Sequence, residues 1–130
     1  MPITYRYIEA YNYFDTVFTG VVTDRDILEL ITNIRKEPRF LAGANELVRP
    51  EKLVSLSVSP DTFIIDAPAK ELLQDPRMKN KKIAIAATEK YFYGYGRMYQ
   101  TACEPTTWDI ELFETVAEAE QWIKHHGGKP

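Results

Sequence analysis

Several features that would point to a particular chemistry are scarce in this chain. Its 130 residues include one cysteine, Cys103, and two histidines, His125 and His126. A single cysteine excludes an internal disulfide framework and fits a reducing compartment. Metal ligands on one helix need a spacing of three or four residues, so two adjacent histidines do not form a pair. We therefore expect neither a metal site nor a cofactor.

Excess basic charge and long apolar runs are also lacking. The chain has 16 Lys and Arg residues against 19 Asp and Glu residues, a net charge of −3. Nucleic-acid binding needs a concentration of positive charge, so we expect no nucleic-acid partner. No run approaches the ~20 apolar residues of a membrane span. The first residues lack the apolar core of a signal peptide, and together these absences predict a cytoplasmic protein without a membrane span.

The composition is otherwise that of an ordinary globular protein, with 45% hydrophobic and 27% charged residues. This length predicts one domain over residues 1–126, followed by a loose C-terminal tail at residues 127–130. The chain has eight tyrosines, more than one small core needs. Because aromatic residues are enriched at interfaces, we also predict a homodimer.

The N-terminal part alternates apolar and polar residues in two runs, 3–8 and 13–19. A period of two is typical of β-strands, and the short stretch between the runs can turn the chain, so the pattern predicts a β-hairpin. Thr23 is a suitable N-cap for a helix whose apolar stripe runs from Ile27 to Ile34, and Pro38 predicts its end. Residues 45–48 and 53–58 favour two further extended segments.

The second half alternates strand and helix patterns. Residues 82–87 and 108–113 predict strands, and residues 88–102 and 115–126 predict helices, the latter with Thr115 and Glu118 at capping-box spacing. Ser59, Pro60 and Asp61 form another helix-start signal. The pattern predicts an α/β fold, with a mixed four- to five-stranded sheet, an N-terminal β-hairpin and about four flanking helices.

Two blocks of sequence carry a resemblance to a known family. The first is VFTGVVTDRDIL at residues 17–28. The second comprises KIAIA at 82–86, YGYGRMY at 93–99, IELF at 110–113 and AEAEQWI at 117–123. In order and spacing they resemble the SpoIIAA-like, or STAS-like, family of small bacterial proteins related to anti-sigma-factor antagonists. The resemblance implies a STAS-like fold without catalysis, in relatives that act as binding or regulatory modules or have no known role.

The resemblance also implies two sites. Antagonists are phosphorylated on a serine near the start of the second helix, and Ser59 is the nearest match, with Ser55 and Ser57 as alternatives. Where relatives often place an aspartate at the end of the central strand, this chain has Arg49 and Pro50. Arg49, at which this chain departs from the family pattern, is a candidate for a ligand or partner surface, and plain helix capping is the competing interpretation for Ser59.

The third predicted helix contributes the remaining candidates. Tyr93 and Arg97 lie opposite its aromatic stripe and could form part of a ligand or partner surface, although a solvated face is the simpler interpretation. Gly94 and Gly96 interrupt a helical pattern, for which close packing is the favoured cause. The basic residues Arg77, Lys79, Lys81 and Lys82 are interpreted as a solvated loop.

The function hypothesis that follows is a non-enzymatic, cytoplasmic regulatory or protein-interaction domain with a protein partner. The alternative is a small-molecule or lipid-binding module with a pocket between the third helix and the sheet, lined by Tyr91, Tyr95 and Tyr99. A filled core with exposed apolar residues would favour the first hypothesis, and a roomy apolar pocket would favour the second.

Overall fold

The computed structural model describes residues 2–34, 36–57, 59, 76, 79–104 and 106–126. Its sheet has five strands in the order β1-β2-β3-β4-β5, in which β1 is antiparallel to β2 and the other neighbours are parallel. The strands are β1 Ile3–Ile8, β2 Tyr13–Thr23, β3 Asn45–Ser57, β4 Lys82–Ala86 and β5 Asp109–Phe113. The α-helices are α1 Asp24–Ile34, α2 Pro38–Leu41, α3 Lys90–Cys103 and α4 Val116–His126. The predicted α/β fold with a mixed sheet and an N-terminal hairpin is confirmed.

The hairpin closes through a short 3₁₀ turn at Glu9–Tyr11. Asn12 ends this turn in the left-handed region with φ 54°, a conformation that asparagine tolerates better than most residues. Its backbone N–H donates to the carbonyl of Glu9. The turn brings Ile8 opposite Tyr13 and so fixes the register of the whole hairpin.

Helices cover both faces of the sheet, and each face has its own apolar layer. The larger layer lies between the sheet and helices α1, α2 and α3, and its most buried large side chains include Phe18, Ile27, Phe40, Ile83 and Phe92. The smaller layer lies between the sheet and α4, and contains Tyr13, Leu47, Ala84, Ala86, Ala119 and Ile123. Alternation along β2 and β3 sends neighbouring residues to opposite layers, as a two-residue period requires.

Strand β3 is longer than the sequence suggests. The two extended segments predicted at 45–48 and 53–58 form one strand, Asn45–Ser57, that pairs with β2 almost throughout. Pro50 lies just beyond the last pair between β3 and β4, Val48 with Ile85, so its missing N–H removes no bond to β4. The register shifts near Gly20 and the positive φ of Lys52 mark irregularities that let the strand continue past the proline.

Side chains cap two of the helices. The Asp26 carboxylate accepts from the backbone N–H of Thr23 at 2.9 Å and from its hydroxyl at 3.1 Å, one half of a capping box. The predicted box at α4 is complete in its N-cap half, because the backbone N–H of Glu118 donates to the Thr115 hydroxyl at 3.1 Å. α1 ends at Ile34, before Pro38, and Pro38 begins the four-residue helix α2, which the sequence pattern did not predict.

Candidate functional site

A groove of about 230 Å³ runs between strand β1 and helix α1. One wall consists of Pro2 and the first three residues of β1, Ile3, Thr4 and Tyr5. The other wall consists of Asp26, Glu29, Leu30 and Asn33. Their spacing of three, four and seven residues places them on one stripe of α1, next to the stripe that Ile27, Ile31 and Ile34 bury in the core.

The groove combines an apolar floor with an acidic rim. Ile3 is buried and Tyr5 and Leu30 are half-buried, so they form the floor. Among the lining residues the charged side chains are Asp26 and Glu29, both negative. Glu29 is exposed and pairs loosely with Arg25 at 3.4 Å, a surface ion pair that contributes little stability.

Tyr5 links the groove to the segment after α1. Its hydroxyl donates to Oε1 of Glu37 at 3.1 Å. Burial, followed by this hydrogen bond, raises the pKa of Tyr5, so the hydroxyl remains a donor at neutral pH. The ring also packs edge-on against Phe14, with centroids 5.7 Å apart, which fixes the floor of the groove to the core.

The outer edge of β1 borders this groove, since Ile3, Thr4 and Tyr5 all line it. The N–H of Thr19 donates to the carbonyl of Pro2 at 2.7 Å, which sets the phase of the antiparallel ladder. Alternate residues of β1 therefore direct their backbone groups at β2, and Ile3, Tyr5 and Tyr7 direct theirs away from it. Among the described residues no group accepts from or donates to those outward backbone atoms.

The larger apolar layer contains a buried carboxylate that sequence reasoning missed. Glu46 is 5% exposed, and its Oε2 accepts from the Thr16 hydroxyl at 2.6 Å. Burial raises its pKa to about 7, although the Thr16 hydrogen bond and the charge of Lys81 oppose the shift. Glu46 lies in the extended segment predicted at residues 45–48. A charged residue inside a strand that is otherwise buried was the available signal for this site.

Lys81 corrects the interpretation of the basic cluster as a solvated loop. The residue is 2% exposed, and its ammonium donates to the backbone carbonyls of Phe40, at 3.0 Å, and of Ala44. It also lies 3.6 Å from the centroid of the Phe40 ring. Burial lowers its pKa to about 8, against the opposing effect of Glu46. Lys81 therefore ties α2 to the start of β4, while Lys79 remains exposed.

The space between α3 and the sheet is filled. A cavity of about 20 Å³ lies there, bordered by Glu46, Tyr95 and Tyr99. That volume holds about one water molecule, whereas pockets for small molecules span roughly 300–1,000 Å³. Tyr95 and Tyr99 are buried as expected, but Tyr91 is 39% exposed and its hydroxyl donates to the carbonyl of Leu53 at 3.2 Å. Among the described residues the tyrosines thus fill the core, and the cavity that they border is far below ligand size.

Arg49 lies in the middle of β3 and pairs with an acidic residue of the neighbouring strand β2. Its Nε and Nη2 donate to the two oxygens of Asp15 at 2.9 and 3.1 Å, a bidentate geometry that raises the pKa of Arg49. Arg6 lies 3.7 Å from the same carboxylate, and Glu51 lies 3.6 Å from Arg49. The expectation that Arg49 lies at a strand end is wrong, because β3 continues to Ser57.

The other two surface candidates lie on the opposite side of the sheet from Arg49. Arg49 shares a face with Leu47, which packs under α4, whereas Tyr93 and Arg97 belong to α3. Tyr93 is 53% exposed. Arg97 donates to Oε1 of Gln100 at 2.7 Å, beside a shallow depression of about 280 Å³. The structure therefore does not bring the three predicted residues together.

Ser59 is described, but the helix predicted to begin there lies outside the described residues. The serine is exposed, and its backbone N–H donates to Oδ1 of Asp24 at 2.7 Å. A phosphate on Ser59 would therefore meet a nearby carboxylate, which opposes added negative charge. Ser55 and Ser57 lie on β3 opposite Val21 and Thr23 and are exposed. Whether any of these serines is modified remains a prediction.

In the described part of the chain, the cysteine and the possible metal ligands give no further site. Burial raises the pKa of the Cys103 thiol to about 12, so it stays protonated at neutral pH. Among the described residues no group of three His, Cys, Asp or Glu side chains could hold a metal ion. Within the same part of the chain, no helix is long and apolar enough to cross a membrane.

Gly96 has the close packing that the sequence predicts, and Gly94 does not. A Cβ added at Gly96 would lie 2.9 Å from Cδ2 of Leu112 on β5. At Gly94 a Cβ would meet nothing within 4 Å. One glycine therefore allows α3 to approach β5 closely, and the other is exposed with no packing cause in the described structure.

Comparison with known proteins supports the fold. No protein-family model matches the chain, and no curated protein matches it. Among solved structures it is similar to an uncharacterized protein of the DUF3478 family with a SpoIIAA-like fold, from Shewanella loihica PV-4. The match has a TM-score of 0.56 at 19% sequence identity, and covers 93% of this chain and 91% of that chain. This chain thus has a SpoIIAA-like fold.

Proposed function

We propose that this chain is a non-enzymatic regulatory domain that works by binding another protein. The observation that carries the proposal is the contrast between its filled interior and its open surface groove. The cavity between α3 and the sheet has room for about one water molecule, whereas the groove along β1 offers about 230 Å³ at the surface. Binding is thus better supported at the surface than inside the domain.

The chemistry of the buried polar groups supports the same proposal. Burial shifts the pKa values of Glu46, Lys81 and Cys103 toward their neutral forms, and groups with shifted pKa values are often catalytic. Here the Glu46 carboxylate accepts a hydrogen bond from the Thr16 hydroxyl, and the Lys81 ammonium donates to backbone carbonyls. The contacts of Glu46 and Lys81 are structural, and the cavity that Glu46 borders has room for about one water molecule.

The test is native mass spectrometry of the tagged chain recovered from native cell extract. We expect the free chain or a complex with a protein, without a bound small molecule in stoichiometric amount. The same sample should give no turnover with phosphate esters, acyl esters or nucleotides. A retained small molecule or lipid would support the alternative function. Turnover that disappears when one lining residue is changed would instead overturn the non-enzymatic proposal.

A further inference from the structure

We propose that the groove binds an extended segment of the partner protein, which adds to the sheet as a sixth strand beside β1 and places basic side chains over Asp26 and Glu29. This inference rests on the proposed function and specifies the partner's chemistry. It follows from three features: the open backbone of β1, the charge of the groove, and the side chain that bonds to the backbone of the other edge strand.

The backbone of β1 provides the first argument. Ile3, Tyr5 and Tyr7 direct their N–H and C=O groups outward, and no described residue bonds to them. Such a row of groups is a template for another strand, and peptide recognition by strand addition uses it. Because three consecutive residues of β1, Ile3 to Tyr5, line the groove, the concavity reaches the strand backbone as well as the side chains.

The side chains of the groove define the sequence of the added strand. Residues of an added strand that face α1 would lie over Leu30 and beside Asp26 and Glu29. An apolar residue fits against Leu30 and Ile3, and lysine or arginine fits beside the two carboxylates. Since side chains alternate in a strand, the favoured segment has basic and apolar residues at every second position.

At the opposite edge of the sheet, a side chain bonds to an outward backbone group of β5. On β5 the N–H of Asp109 donates to the carbonyl of Lys81 in the direction of β4, so Ile110 directs its backbone groups outward. The side-chain amide of Gln100 donates to that outward carbonyl of Ile110 at 2.6 Å. A side chain that occupies an edge carbonyl hinders strand addition. In the described structure β1 has no equivalent of Gln100.

The groove charge argues against a second copy as the occupant. In a symmetric pairing of two β1 strands, the acidic rims of both copies would lie at one interface. Like charges placed together at an interface are unfavourable. A basic partner segment neutralises Asp26 and Glu29, so the groove favours a different protein over self-association, and a homodimer would use another surface.

The probe is a blocked heptapeptide, Thr-Lys-Thr-Val-Thr-Lys-Thr, which places Lys, Val and Lys on one face of a strand. Binding is followed by NMR of the ¹⁵N-labelled chain. We expect the amide signals of Ile3, Tyr5 and Tyr7 to shift and their hydrogen exchange to slow. A peptide with Glu in place of Lys, and one N-methylated on the amides that face β1, should not bind.

Matched charge variants locate the site. Glu29→Lys should weaken binding of the probe about tenfold, because it reverses a rim charge. Glu114→Lys makes the same change at an exposed residue outside the groove and should leave the affinity within about twofold. The proposal is wrong if the probe shifts no β1 amide at millimolar concentration, or if the Glu peptide binds equally well.

The inference and the proposed function can fail separately. If a protein partner is recovered from extract and Glu29→Lys retains it at the wild-type level, the domain still binds protein but the groove proposal is wrong. If the outward β1 amides become protected as the concentration of the chain alone is raised, and sedimentation shows a dimer, then the occupant is a second copy and the basic-segment proposal is wrong.

Discussion

Glu46 is the residue whose burial has the clearest consequence for stability. Its pKa is raised from an ordinary value near 4.5 to about 7 in the folded chain, mainly by burial. Between these values the folded state holds a proton that the unfolded state has lost. This contribution to stability is fully present below pH 4.5, and it is lost as the pH rises through about 7.

We therefore expect the free energy of unfolding to fall between pH 5 and pH 7.5, and Glu46→Gln to reduce that fall by about 2–4 kcal/mol. Glutamine keeps an acceptor for Thr16 and carries no charge at either pH. Lys81, whose pKa is lowered to about 8, gives the opposite trend at higher pH. The measurement is urea denaturation of both proteins at the two pH values. Parallel pH dependence in the two proteins would rule out a titrating Glu46.

The two glycines of α3 give a matched pair of predictions. Gly94→Ala should stabilise the chain by about 0.5–1 kcal/mol, because the site is open and alanine has the higher helix propensity. Gly96→Ala places a methyl group against Leu112 and should be less stable than Gly94→Ala by about 1–3 kcal/mol. Thermal denaturation compares the two variants. Equal midpoints would mean that α3 does not depend on close approach at Gly96.

At the scale of secondary-structure elements, α4 depends on one buried side chain more than on its tryptophan. Ile123 is fully buried, whereas Trp122 is half-buried and packs on Phe113 with centroids 5.6 Å apart. Ile123→Ala should cost about 2–5 kcal/mol, since it leaves a cavity under the helix. Gln121→Ala, on the exposed face, should change stability by no more than about 0.5 kcal/mol. A small effect of Ile123→Ala in chemical denaturation would contradict the packing of α4 on the sheet through this side chain.

Local patterns predicted the elements well. The Thr115 and Glu118 spacing, the apolar stripe of α1 and the alternation of the hairpin each depend on residues close in sequence, and all three appear in the structure. The short helix α2 and the length of β3 were not predicted. Both depend on tertiary contacts, including Lys81 with the carbonyls of α2 and the pairing of β3 with β2.

At the scale of the whole molecule, the fold was predicted and the candidate site was not. The resemblance to the SpoIIAA-like family agrees with the similar solved structure, which shows the fold alone. The groove requires β1 and α1 to meet, although more than twenty residues separate Ile3 from Asp26, and no local pattern reports that meeting. Arg49 is a candidate from its place in the family pattern, and Tyr93 and Arg97 are candidates from their face of α3. The sheet separates Arg49 from the other two.

Amide hydrogen exchange along β1 in the free chain is the most direct measurement of whether this edge is open to a partner strand. We expect alternation, because Thr4 and Arg6 donate toward β2 while Tyr5 and Tyr7 direct their amides to the open edge. Tyr5 and Tyr7 should therefore exchange much faster than Thr4 and Arg6 at pH 7. Uniform protection of the four amides would mean that the edge is already covered, and would contradict the proposal that β1 is open to a partner strand.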